Sequence, residues 1–162
     1  MILLLMGVSG CGKSTVGTAL AQSLYWPFLD ADDFHPPANV AKMAAGEPLT
    51  DADRWPWLDR LADEMRAILA RGGHAVLACS ALKEAYRTRL ARAGDVRVVY
   101  LAGDEPTIAA RLAARQHRYM PPTLLSSQFA TLEAPADALT VDIRQPVAAQ
   151  VDAIRAAFGL AR

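Results

Sequence analysis

The chain holds only two cysteines, Cys11 and Cys79, among its 162 residues. That is too few for a disulfide framework. It has no excess of charge of either sign: 17 lysines and arginines balance 17 aspartates and glutamates. This balance argues against a general binder of nucleic acid or of anionic membranes, and leaves room for a local cationic cleft. No apolar run approaches the ~20 residues that a membrane span needs. The opening Met1-Ile-Leu-Leu-Leu-Met6 lacks the basic stretch of a secretory signal. Repeats, low-complexity tracts and linkers are also missing. The expectation is one cytoplasmic domain spanning 1–162, long enough to bury its own core without disulfides or structural metal.

What is present alternates. Apolar, strand-like runs at Ile2–Met6, Phe28–Asp30, His74–Ser80, Val96–Ala102 and Leu139–Ile143 are separated by helical patterns at Ser14–Leu24, Arg54–Ala70, Lys83–Ala93, Pro106–Arg115 and Val147–Phe158. A short helix from Pro37 to Ala45, ended by Gly46, fits between the second strand and the long helix. Such alternation predicts an α/β fold, a parallel sheet with helices on both faces. Ligands of such sheets gather beyond the carboxyl ends of the strands.

The segment after the first strand is the most specific. Gly7-Val8-Ser9-Gly10-Cys11-Gly12-Lys13-Ser14 matches the phosphate-loop pattern G-x-x-x-x-G-K-[ST] between a strand and a helix. Backbone N–H groups of such a loop point at phosphate oxygens, and the helix N-terminus adds partial positive charge. The predicted nucleotide contacts are Gly7 through Thr15. Lys13 reaches the β- and γ-phosphates of ATP, and Ser14 ligates Mg²⁺. Cys11, at a helix head beside Lys13, is expected to be more acidic than a free thiol.

After the second strand comes Asp30-Ala31-Asp32-Asp33-Phe34-His35. If the chain stays extended, Asp30 and Asp32 share one side. Asp30 is then the candidate for metal support and Asp32 for substrate binding and proton acceptance. His35 and Asn39 are candidate substrate donors. Arg54, near the head of the long helix, suits bidentate binding of a carboxylate or phosphate. The third strand ends in Cys79-Ser80 without the terminal aspartate common in phosphate-loop ATPases. Ser80, Lys83 and Arg87 complete a candidate ring around an anionic substrate, with Lys83 and Arg87 on one helix face. Further on, Arg111, Arg115, His117 and Arg118 precede Pro121-Pro122 and read as a closing lid at about 113–123. Arg115 and Arg118 are the candidates to meet the transferring phosphoryl group, and Arg111 to lie against adenine.

Taken together these segments resemble the gluconate kinases of the phosphate-loop small-molecule kinase group. The resemblance rests on Met6–Val16, Asp30–Asn39, Lys42–Leu58 and Cys79–Arg87, with a further similar segment at Leu124–Glu133. It implies a three-layer α/β/α, nucleoside-monophosphate-kinase-like fold with a lid and a five-stranded parallel sheet ordered 2-3-1-4-5. It also implies ATP- and Mg²⁺-dependent phosphorylation of D-gluconate to 6-phospho-D-gluconate, and a homodimer. Ala31 stands where the family has glycine, and His117-Arg118-Tyr119-Met120 where its lid reads Gly-His-Phe-Met. The lid-histidine role is left open between His117 and Arg118. A kinase for another small acid, such as shikimate, and a nucleotide-gated binding module are the rival readings.

Overall fold

In the computed structural model of the chain, which describes residues 1–114 and 122–160, and of 122 and 123 only the backbone, five strands form one parallel sheet. The strands are β1 (Ile2–Met6), β2 (Phe28–Asp30), β3 (Ala75–Ala78), β4 (Val96–Ala102) and β5 (Leu139–Asp142), in the order β2-β3-β1-β4-β5. β1 lies at the centre, with Leu3 opposite Val76 on one side and Arg97 on the other. All five of its residues are buried.

Side-chain alternation along β1 divides the core into two layers. Leu3 and Leu5 pack with Val16 and Leu20 of α1 (Lys13–Leu24), with Ile108 and Leu112 of α5 (Glu105–Ala113) and with Val151 and Ile154 of α7 (Val147–Ala157). Ile2, Leu4 and Met6 pack on the opposite face, against Leu58, Leu61 and Met65 of α3 (Asp51–Ala70) and Leu90 of α4 (Glu84–Ala91). The elements α2 (Pro37–Ala44) and α6 (Pro122–Thr131) complete the described chain. The three-layer α/β/α fold and the strand order implied by the family resemblance are both present.

Four departures from the sequence expectation bear on the site. The chain does not stay extended after β2: Ala31–Phe34 form one 3₁₀ turn, capped by the Asp30 side chain accepting from the Asp32 N–H at 3.0 Å. Helix α3 begins at Asp51, three residues before Arg54, because Thr50 and Asp53 form a reciprocal capping box. Lys83 is the residue before α4, not part of it, so Lys83 and Arg87 share no helix face. Finally, Pro122 opens α6, where the proline pair reads as a break; at a first helical position the missing N–H costs nothing.

Candidate active site

The loop after β1 is folded for phosphate. The Gly7 N–H donates to the Ser80 carbonyl (3.3 Å), which ties the loop to the chain leaving β3. A Cβ at Gly7 would stand 2.6 Å from the Cys11 Sγ and 2.9 Å from the Leu101 carbonyl, so only glycine lets the loop turn this tightly over β4. Gly12 precedes α1, whose first-turn residues Lys13, Ser14 and Thr15 carry N–H groups without intrahelical acceptors. Their donors and the helix dipole converge on one anion-binding point. Lys13 Nζ curls back to the carbonyls of Gly7 (2.9 Å) and Val8 (3.1 Å). Ser14 and Thr15 are exposed.

Cys11 departs from its expectation. Its side chain is fully buried, turned under Gly7 into the core layer that holds Val8 and Leu112. Burial pushes its pKa up, and the nearby Lys13 charge only partly offsets that. The helix-head argument assumes a thiol facing the anion site, and this one faces the core. Ser9 also differs from its neighbours: its N–H donates to Gln128 Oε1 of α6 at 2.7 Å.

The acidic turn after β2 lies next to the loop. Asp32 is exposed, and partial desolvation beside the turn raises its pKa. The Asp30 charge adds to the rise, and His35 and Lys13 pull the other way. Water screens part of these effects at so open a side chain. That Lys13 and Asp30 both act on Asp32 places the three groups in one locality. His35 is buried and stacked on Trp57, ring centroids 4.1 Å apart. Its Nδ1 faces Asn39 Nδ2 (3.3 Å) and its Nε2 faces the Asp32 carboxylate (3.8 Å). An amide nitrogen only donates, so Nδ1 accepts and Nε2 carries the proton toward Asp32. Asn39 is buried too, and also donates to the Asp53 carbonyl (2.9 Å). His35 and Asn39 are thus held by each other and by α3, with His35 Nε2 facing Asp32.

Three cations were expected around an anionic substrate; the structure brings Arg54 and Lys83 together at Tyr86 and Asp51 and leaves Arg87 apart. Arg54 Nη1 donates to the Leu49 carbonyl (2.7 Å) and to Tyr86 Oη (3.4 Å). Its Nε and Nη2 have no hydrogen bond among the described residues. Its charge is felt at His35 as well as at Asp51 and Tyr86. Lys83 is paired with both carboxylate oxygens of Asp51 (3.1 and 3.2 Å). The same carboxylate accepts from Tyr86 Oη, which with Lys83 holds its pKa down. Arg87 does not join the ring at all. It is buried and donates to the carbonyls of Ala81 (2.8 Å), Leu82 (3.2 Å) and Glu133 (2.7 Å). It lines a groove of about 520 Å³ with Thr88, Val98 and Phe158, away from the phosphate loop. Ser80, half-buried, supplies its carbonyl to Gly7. Arg111 donates to the Ile143 carbonyl past the end of β5. Arg115, His117 and Arg118 lie outside the described residues.

Asp51 and Tyr86 were not among the residues singled out from the sequence. Only the packing of α3 on α4 shows that they hold Lys83 and contact Arg54.

A strand–loop–helix phosphate site with a lysine, beside a carboxylate turn and an arginine, defines a phosphate-loop kinase. Comparison with known proteins agrees. The family described as AAA domain matches residues 2–139. The chain is 51% identical to a gluconokinase of Gluconobacter oxydans, over 83% of this chain and 76% of the relative. It is 44% identical to the thermoresistant gluconokinase of Escherichia coli, over 90% and 86%. The crystal structure of a gluconokinase from Sinorhizobium meliloti superposes with a TM-score of 0.84 at 40% identity, covering 98% of this chain and 94% of that one. The chain belongs to the gluconokinase family.

Proposed function

We propose that the chain transfers the γ-phosphoryl group of ATP to the terminal hydroxyl of D-gluconate, giving 6-phospho-D-gluconate and ADP. What supports this reading is that Asp32 feels the Lys13 charge of the phosphate loop and faces His35, which in turn feels Arg54. A carboxylate there receives the hydroxyl proton as the oxygen attacks phosphorus and the bridging oxygen leaves with ADP. Lys13 and the first-turn amides of α1 stabilise charge on the phosphate oxygens. His35, neutral and held by Trp57 and Asn39, keeps Asp32 oriented.

Arg54 is our assignment for the substrate carboxylate, because its Nε and Nη2 are unclaimed among the described residues while Lys83 is neutralised by Asp51. Arg115 and Arg118, with His117 as the alternative, are assigned to the transferring group from sequence, and Arg111 to the flank of adenine.

The donor set suits Mg²⁺. Ser14 and Asp30 offer hard oxygens, and among the described residues no three His, Cys, Asp or Glu cluster as a metal cage. Mg²⁺ is held by one or two protein oxygens plus phosphates and water, not by such a cage. When bound, it supplies charge neutralisation at the phosphates.

The proposal includes a homodimer, testable by light scattering, and a cytoplasmic location, where ATP is available. Among the described residues no helix is long and apolar enough to cross a membrane. A coupled assay of ADP release tests the activity: turnover should need D-gluconate and Mg²⁺. Equal or better turnover with shikimate, or none with any sugar acid, would overturn it.

A further inference from the structure

The segment Leu124–Glu133 stands out in the sequence with no role attached, and the mechanism above does not use it. In the structure it is a strap between two loops of the site. At its middle, Gln128 Oε1 accepts the Ser9 N–H at 2.7 Å and Gln128 Nε2 donates to Ser9 Oγ at 3.0 Å. A backbone N–H can only donate, so the orientation of the carboxamide is fixed. At its end, the Glu133 N–H donates to the Leu82 carbonyl (2.8 Å) and the Glu133 carboxylate accepts the Glu84 N–H (2.7 Å) at the head of α4. The Glu133 carbonyl takes the buried Arg87 (2.7 Å). Ahead of both, Leu125 is buried in the layer that holds Val8 and Cys11.

The next loop residue is gripped from the other side. Gly10, at φ +84°, lies so close to α5 that a Cβ would stand 2.9 Å from Leu112 and 3.2 Å from Ile108. Ser9 and Gly10 are thus clamped between α5 and α6. A loop carrying Gly7, Gly10 and Gly12 has much backbone freedom to lose when it wraps a phosphate. A clamp that orders it beforehand moves that cost from binding to folding.

We propose that Gln128 is a positioning residue of the phosphate site: through Ser9 it holds the crest of the loop in its nucleotide-binding shape. Ser9 is then an anchor of the loop, and its N–H is not a phosphate donor. This deepens the kinase reading and rests on it.

The test is MgADP binding by titration calorimetry to wild type and to Gln128→Met, which keeps side-chain length but makes neither contact. The dissociation constant should rise on the order of tenfold, ~1.4 kcal/mol. The KM for gluconate should stay within twofold, and the effect of Ser9→Ala should shrink in the Gln128→Met background. ADP binding within twofold of wild type, or tighter, overturns the proposal, the latter because it would make Gln128 a competitor of phosphate. Amide exchange on the wild-type protein gives a second measurement that does not depend on the variant folding. The Ser9 N–H should be protected without nucleotide, and exchange at the rate of an open loop counts against the clamp. Failure of wild type itself to bind ADP would instead sink the kinase reading.

Discussion

The Asp32 carboxylate and the His35 ring face each other with Oδ1 and Nε2 3.8 Å apart, and His35 is fixed from behind by Trp57 and Asn39. The residues that orient the proposed base therefore come from the end of β2, from α2 and from the first turns of α3. Asp32→Asn should lower kcat by ~10²–10⁴, the usual worth of general base catalysis, and leave ATP binding unchanged. Partial desolvation and the Asp30 charge raise the Asp32 pKa. The ionised form is the active one, so kcat/KM should fall with decreasing pH along a limb lying above the ordinary carboxylate range. A variant within threefold of wild-type kcat removes Asp32 from the chemistry.

Arg54 and Lys83 can be told apart by kinetics. Arg54→Met should raise the KM for gluconate on the order of tenfold or more, the cost of leaving a carboxylate without its charged partner. Lys83→Met should change it less, since Asp51 already holds that ammonium. If Lys83→Met has the larger effect, the assignment is reversed.

The frame of this site was legible in the sequence, and its interior was not. β1, β2 and β4 have the predicted bounds because each is an apolar run closed by polar or turn residues, a local signal. The phosphate loop is local as well. Gln128 on Ser9 is a contact across 119 residues, and no short-range pattern carries it. Arg87 reads as a surface cation by residue type, but folding turns it inward onto three carbonyls. His35 and Asn39 read in the sequence as substrate donors. Their partners proved to be each other, Trp57 and the α3 cap, which depends on where α2 meets α3.

Asp53 links the cap of α3 to α2, and this should show in acid stability. Its carboxylate takes Lys42 Nζ at 2.7 Å and the Thr50 N–H at 2.9 Å, and these bonds hold its pKa at about 2. The folded pKa is below the unfolded value near 3.9. The contribution is therefore present above about pH 4 and is lost as pH falls toward 2. Urea midpoints measured from pH 6 to pH 2 should show Asp53→Asn less stable than wild type at the upper end, with the two curves converging at the lower. Coincident curves would mean that the bonds contribute nothing to stability, and parallel, offset curves that their contribution does not depend on the Asp53 charge.

Cys11 gives the sharpest reversal of a sequence expectation. A thiol at the head of α1, 3.9 Å from Lys13 Nζ, ought to be acidic and easily alkylated. Instead the side chain is fully buried beneath Gly7, and burial outweighs the lysine and raises its pKa. Cys79 is buried as well, its pKa pushed up to about 12. A thiol must be both ionised and reachable to be alkylated, and neither cysteine meets those conditions in the folded chain. Native enzyme at pH 8 should react with iodoacetamide at least about tenfold more slowly than a free-thiol peptide. It should keep its activity throughout, with ATP adding little protection. In denaturant both cysteines should label at the peptide rate. The site of any modification is read by peptide mass spectrometry. Rapid labelling of Cys11 in the native enzyme, blocked by ATP, would show that the phosphate loop opens far enough to expose its underside.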